Sequence, residues 1–189
     1  MKILVTGAKG MLGQDLCPIL EDENFEVLET DIDNLDITNI QNVEEILSLN
    51  KPDYVIHCAA YTNVDKAEDE TDTAFKINAQ GTKNIADICK KLGITLIYIS
   101  TDYVFDGTKK DKYLPNDKTN PINIYGKSKL EGEKAVQECE KYYIARTSWL
   151  YGHHGKNFVE TMISLKDKDE LKVVDDQIGC PTWTVELSN

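Results

Sequence analysis

The stretch Lys2-Ile3-Leu4-Val5-Thr6-Gly7-Ala8-Lys9-Gly10-Met11-Leu12-Gly13 decides the fold. A short β-rich run passes directly into glycines at Gly-x-x-Gly-x-x-Gly spacing, and the apolar residues that follow, Met11, Leu12, Leu16, Ile19 and Leu20, recur at helical intervals. The reading is strand, sharp turn, helix. Glycine lets the backbone turn and lets a pyrophosphate approach the helix N-terminus, where free N–H groups and the helix dipole favour negative charge. The chain holds only 11 glycines, so three at this spacing between a strand and a helix, Gly7, Gly10 and Gly13, point to a dinucleotide rather than to an ordinary turn. Eighteen residues after Gly13, at the end of the next β-rich run, Asp31 stands where such folds place an acid on the adenosine ribose. Asp36 and Ile37 lie in the following turn and would border the adenine.

Outward from this turn, strand and helix patterns alternate. Glu26 to Thr30 predicts a strand, Ile40 to Leu49 a helix, and Tyr54 to Cys58 a nearly all-apolar strand of the kind buried on both faces of a parallel sheet. Thr71 to Leu92 reads as one long helix, stopped by Gly93 before a fourth strand, Thr95 to Ile99. A polar loop, Asp106 to Asn123, is long enough to suggest a functional role. A helix from Tyr125 to Glu140, a strand from Tyr142 to Arg146, a helix near Phe158 to Leu165 and a strand from Leu171 to Val174 complete the alternation. Repeated βαβ units predict a doubly wound α/β fold of Rossmann type, in which ligands bind beyond the carboxyl ends of the strands.

Composition sets the outer limits. With 189 residues, 41% of them hydrophobic, there is material for one closed core, so one domain over residues 1–189 is expected. Acidic residues number 33 against 21 basic ones, and a formal net charge of -12 argues against a surface that tracks nucleic-acid phosphates. The absence of a long apolar run and of a signal-peptide pattern at Met1 to Gly7 predicts a soluble, cytoplasmic protein with no membrane partner. Five scattered cysteines, an odd number without a Cys-x-x-Cys pair, suggest neither a disulfide framework nor a zinc site. The adjacent His153 and His154 diverge along the chain and have no carboxylates framing them, so no metal site is assigned.

Tyr125-Gly126-Lys127-Ser128-Lys129 places a phenol and an ammonium four residues apart, on one face of a helix. A cation beside Tyr125 would lower its pKa and make it a proton donor or acceptor near neutrality. One such pair is expected by chance in a chain of this composition. Its position after the long loop, together with Ser100-Thr101-Asp102 at the end of the fourth strand, brings the hydroxyls to the same crevice.

With these segments in place, the sequence resembles the extended short-chain dehydrogenase/reductases, and within them the dTDP-4-dehydrorhamnose reductase (RmlD-like) family. The similarity spans the chain. The Gly7–Gly13 motif and Tyr125-x-x-x-Lys129 mark only the superfamily; Ala59-Ala60-Tyr61-Thr62-Asn63-Val64-Asp65-Lys66-Ala67-Glu68 and Ser100-Thr101-Asp102-Tyr103-Val104-Phe105-Asp106-Gly107 are more selective. Further matches are Arg146 to Gly152 and Asp176 to Thr182. The resemblance implies a catalytic trio of Thr101, Tyr125 and Lys129, with Tyr125 protonating the 4-keto oxygen, Thr101 orienting the carbonyl, and Lys129 tuning Tyr125 and holding the nicotinamide ribose. It places Met11 and Leu12 over the pyrophosphate and Ala59, Ala60 and Thr62 along the cofactor. Val64, Trp149, Asn157 and Thr182 become substrate-facing, with a core role open for Trp149, and Asn78 matches an Asn used near the catalytic lysine.

The same resemblance admits Mg2+ through Asp15 and Glu186. Asp31, with no Lys or Arg in residues 32–40, favours NADH, while Lys9 leaves NADPH possible. The implied product is dTDP-rhamnose for cell-surface polysaccharide, the partner a nucleotide sugar, and the longer form a homodimer. Members of the family continue past Thr182 into a further substrate lobe, so residues 150–189 are read as its beginning and the chain as a truncated one with a complete cofactor site. Two alternatives stay open: another sugar-nucleotide epimerase or reductase of the superfamily, and a non-catalytic dinucleotide-binding regulatory module.

Overall fold

The computed structural model describes all residues, Met1 to Asn189. Strand β1 (Lys2–Thr6) is buried along Ile3 to Thr6 and ends in the glycine turn that opens α1 (Met11–Asp22). Then follow β2 (Glu26–Thr30), α2 (Ile40–Asn50), β3 (Tyr54–His57), α3 (Val64–Asp69), α4 (Thr71–Phe75), a π-helical turn over Lys76–Gly81, and α5 (Thr82–Leu92). The second half runs β4 (Thr95–Thr101), a 3-10 turn at Asp102–Val104, α6 (Ile124–Val136), β5 (Tyr142–Thr147), β6 (Leu150–Tyr151), α7 (Phe158–Ser164), β7 (Thr182–Trp183) and α8 (Thr184–Ser188).

Five strands form one parallel sheet in the order β2-β1-β3-β4-β5. The chain steps outward from β1 to β2, then returns past β1 to β3, so the topological switch lies between β1 and β3, where open α/β sheets bind ligands. Alternation along each strand divides the core. On one face Leu4, Val55, Leu96 and Tyr98 pack against Val43 and Leu47 of α2, Ile85 and Cys89 of α5 and Val136 of α6. On the other, Ile3, Val5 and Ile56 pack against Leu16 and Cys17 of α1. Helices thus cover both faces, as the sequence predicts.

Three expectations need correction. Leu171–Val174 forms no strand: its residues are exposed and unpaired, and β-propensity expresses itself only on a paired, half-buried surface. The ladder in this region instead joins β6 to β7, Leu150 to Thr182 and Tyr151 to Trp183. The single helix read over Thr71–Leu92 is interrupted by the π turn, and α6 ends at Val136 rather than Glu140.

Candidate active site

A cleft of about 780 Å³ opens over the carboxyl ends of the strands. Gly7 sits at φ +67, and a Cβ there would meet Ala59 N at 2.8 Å, so the turn after β1 touches the segment after β3 and only glycine fits. A Cβ on Gly13 would strike Ala8, which holds α1 against the turn. The first turn of α1 carries no acidic side chain, leaving its N–H groups as an anion cradle. Gly7, Gly10, Met11, Leu12 and Gly13 all line the cleft, as do Ala59, Ala60 and Thr62 opposite them. Asp31 closes this end: its carboxylate accepts from Lys9 N–H at 3.0 Å and Ile32 N–H at 2.8 Å, which fixes it at the rim. Asp36, held by Thr38, and Ile37 continue the wall. A glycine cradle and a fixed acid one strand away fit a dinucleotide.

At the other end stand Thr101, Tyr125 and Lys129. Asn123 caps α6 by accepting from Gly126 N–H, so the helix starts with Tyr125 in its first turn. Gly132 lets α6 approach β4, since a Cβ there would stand 2.6 Å from the Tyr98 hydroxyl. Lys129 therefore lies deep: its Nζ donates to Ile99 O at 2.7 Å and sits 4.1 Å from the Tyr98 ring centroid. Burial pushes its pKa down to about 7, and Cys58 and Glu133 offset this only in part. Tyr125 packs edge-on against Tyr103, with centroids 5.7 Å apart. Burial pushes its phenol up to about 12, against a smaller opposing effect of the Thr101 hydroxyl. The expectation that a cation lowers the Tyr125 pKa is not met: burial dominates, the neighbouring Asp102 and Tyr103 act in the same direction, and only the Thr101 hydroxyl opposes them.

Behind the site, Asn78 accepts from Tyr61 N–H at 2.8 Å and donates to Tyr61 O and Ser128 Oγ, tying the π turn to α6. His57 is enclosed between the Thr6 and Thr82 hydroxyls, and burial, reinforced by Lys129, drives its pKa down to about 3. Glu133 holds Arg146 through two contacts of 2.8 and 2.6 Å and accepts from Ser100 Oγ at 2.5 Å. Neither His57 nor Glu133 carries a local motif that would single it out in the sequence.

The substrate-facing assignments divide. Val64 and Trp149 line the cleft, and Trp149 does so with φ 48, a strained value for an aromatic residue; the ring is 45% exposed and so is no core aromatic. Asn157 and Thr182 do not line it. Asn157 caps α7, accepting from Glu160 N–H and donating to Gly152 O, and Thr182 is committed to the β6–β7 ladder. Asp15 accepts from Thr184 Oγ1 and faces His154 Nε2 at 3.4 Å. No three His, Cys, Asp or Glu side chains gather in one cluster. Lys9 also lines the cleft, as do Ile32, Ile99, Asp102, Tyr103, Thr147 and Lys156, which no local motif marks as site residues.

The parallel order, the glycine cradle and the Tyr-x-x-x-Lys helix define a dinucleotide-binding domain of the extended short-chain dehydrogenase/reductase type. The chain belongs to the RmlD family: residues 1–189 match the model described as the RmlD substrate binding domain. It is 44% identical over 191 residues to a dTDP-4-dehydrorhamnose reductase of Aggregatibacter actinomycetemcomitans, covering all of this chain and 65% of that protein. Among solved structures, a dTDP-4-dehydrorhamnose reductase of Clostridium acetobutylicum superposes with TM-score 0.96 at 53% identity, over 100% of this chain and 68% of that one. The Bacillus anthracis enzyme in complex with NADP gives TM-score 0.96 at 48% identity, over 99% and 67%. The chain therefore spans about two thirds of the length of the relatives it matches. No helix is long and apolar enough to cross a membrane.

Proposed function

We propose that this chain is the cofactor-binding part of a reductase that converts the 4-keto group of dTDP-4-dehydrorhamnose to the alcohol of dTDP-rhamnose, for cell-surface polysaccharide. The observation that carries this reading is the convergence of Thr101, Tyr125 and Lys129 on the cleft that the glycine cradle opens. Gly7 to Gly13 would hold the pyrophosphate, Asp31 the adenosine ribose, and Lys129 the nicotinamide ribose. The reduced nicotinamide, when bound, supplies hydride. Tyr125, a neutral phenol throughout the physiological range, is poised to donate its proton to the substrate oxygen, and Thr101 beside it to orient that oxygen by a hydrogen bond.

Asp31 at the ribose position disfavours a 2′-phosphate, so NADH is the preferred cofactor. Lys9, whose Nζ pairs with Asp33 at 2.7 Å on the surface, can turn to a phosphate and admit NADPH. The nucleotide sugar is the small-molecule partner, the cytoplasm the location and a homodimer the assembly of the longer form, which light scattering on that form would check.

Calorimetric titration with NADH and NADPH tests the cofactor reading. Saturable binding of both, tighter for NADH and abolished by Gly7→Ala, is expected; several-fold tighter NADPH would overturn the preference, and no binding of either would overturn the function. In a form carrying the full substrate lobe, Tyr125→Phe should keep dinucleotide affinity and lose about a hundred- to ten-thousand-fold in turnover. Near wild-type turnover would remove Tyr125 as the acid.

A further inference from the structure

One buried side-chain oxygen in the whole chain lacks a hydrogen-bond partner, Thr147 Oγ1. Buried hydroxyls nearly always find a partner, so an orphan asks for a missing one. Thr147 ends β5 and pairs in register with Thr101 at the end of β4. On each strand the preceding residue points toward α6, for Ser100 and Arg146 meet on the Glu133 carboxylate. Alternation along a strand therefore sends Thr101 and Thr147 to the opposite face, side by side, and both line the cleft. Neighbouring hydroxyls have protein partners, as Thr147 does not: Ser148 Oγ donates to Cys180 O at 2.7 Å, and Thr101 Oγ1 accepts from Tyr103 N–H at 3.2 Å.

Position along the sheet says what reaches this oxygen. With strand order β2-β1-β3-β4-β5, Asp31 follows β2, the glycine cradle follows β1, and Lys129 lies over β4. A dinucleotide laid along these points has its second ribose at β4, and the next strand is β5. Thr101, in register with Thr147, and the following Ser148 carry no charge, and Arg146 is turned away onto Glu133. That environment suits a neutral amide rather than a phosphate.

We infer that Thr147 is a cofactor-binding residue whose hydroxyl donates to the carboxamide oxygen of the nicotinamide ring. This rests on the dinucleotide reading above. The bond fixes the ring's rotation about its glycosidic link and so selects the face turned toward Thr101 and Tyr125.

The test titrates the chain, Thr147→Val and Thr147→Ser with NADH and with ADP-ribose, which lacks the ring. Thr147→Val should weaken NADH about five- to tenfold, the worth of one hydrogen bond, and leave ADP-ribose unchanged. Thr147→Ser should restore NADH. Ligand-free Thr147→Val should melt no lower than the parent, since a methyl replaces an unpaired hydroxyl. A second arm uses the unaltered chain: an NADH analogue without the carboxamide should bind as weakly as NADH binds to Thr147→Val. Unchanged NADH affinity in Thr147→Val, equal loss of both ligands, or full affinity for the analogue would each overturn the inference. Failure of the parent to bind either NADH or ADP-ribose would instead overturn the dinucleotide reading, and the inference with it.

Discussion

Burial acts on the two central ionisable groups in the same sense, disfavouring charge: Lys129 moves down to about 7 and Tyr125 up to about 12. For Tyr125 the outcome agrees with the proposed role of proton donor, because a phenol in that role must hold its proton until the reaction begins. For Lys129 it has a measurable consequence in stability. The unfolded lysine keeps its proton to about 10.5, whereas the folded one releases it near 7. Between these values the unfolded state binds more protons, so the contribution of Lys129 is least favourable below about pH 7 and improves as pH rises toward 10.5. Lys129→Met removes this titration while keeping an unbranched side chain. The stability of the parent relative to Lys129→Met, from urea unfolding, should therefore increase with pH across that window, at a limiting slope of about 1.4 kcal/mol per pH unit. A flat difference would show that the ammonium keeps its charge when folded.

Between elements, the Glu133–Arg146 pair joins α6, β4 and β5 to the long loop. Glu133 is 1% exposed and its partner 19%; Arg146 also donates to Pro115 O at 3.0 Å and stacks on Phe105 with 5.0 Å to the ring centroid. Phe105 stacks in turn on Tyr113, whose hydroxyl donates to Asp106. A buried charge stripped of its partner costs about 3–5 kcal/mol. Arg146→Met should lower Tm by at least about 6 °C, while the double variant Glu133→Leu with Arg146→Met should recover part of the loss. Calorimetric melting of both checks this, and equal melting of single and double variants would contradict it. Arg146 also shows where sequence reading stops. Its segment is recognisable, but its partner lies 13 residues upstream on a helix whose approach depends on Gly132, and no local pattern announces that. The glycine turn, Asp31 and the Tyr125–Lys129 pair were legible because each is a local motif tied to one strand end. Asn157 and Thr182 take part in helix capping and ladder pairing, contacts settled by neighbours in space that no local pattern displays. The π turn was hidden by an apolar spacing that an unbroken helix satisfies equally well.

Across the whole molecule, the two ends of the cleft differ in finish. The dinucleotide end is walled by buried residues such as Leu12, Leu35 and Ile37, with glycines in close backbone contact. The other end is open: α7 buries none of its residues, Phe158 and Ile163 are exposed, and residues 171–178 are exposed without regular structure. Gly179 lies against Trp149 there, where an added Cβ would press its ring at 2.9 Å. Chemistry at a carbonyl requires the sugar to be held in a near-attack geometry, worth roughly 7–11 kcal/mol of barrier in favourable cases. With α7 and residues 171–178 left exposed, this side of the cleft presents too little fixed surface to hold it. The -12 net charge opposes a nucleotide diphosphate as well, and Arg146, the chain's sole arginine, is consumed by Glu133. Binding and turnover should consequently separate in this 189-residue chain: NADH raises Tm in a saturable manner, dTDP-sugars alone do not, and oxidation of NADH on adding dTDP-4-dehydrorhamnose stays at background. Full turnover by the isolated chain would show that the open wall already forms a sufficient sugar site, with Trp149 as its first residue to mutate.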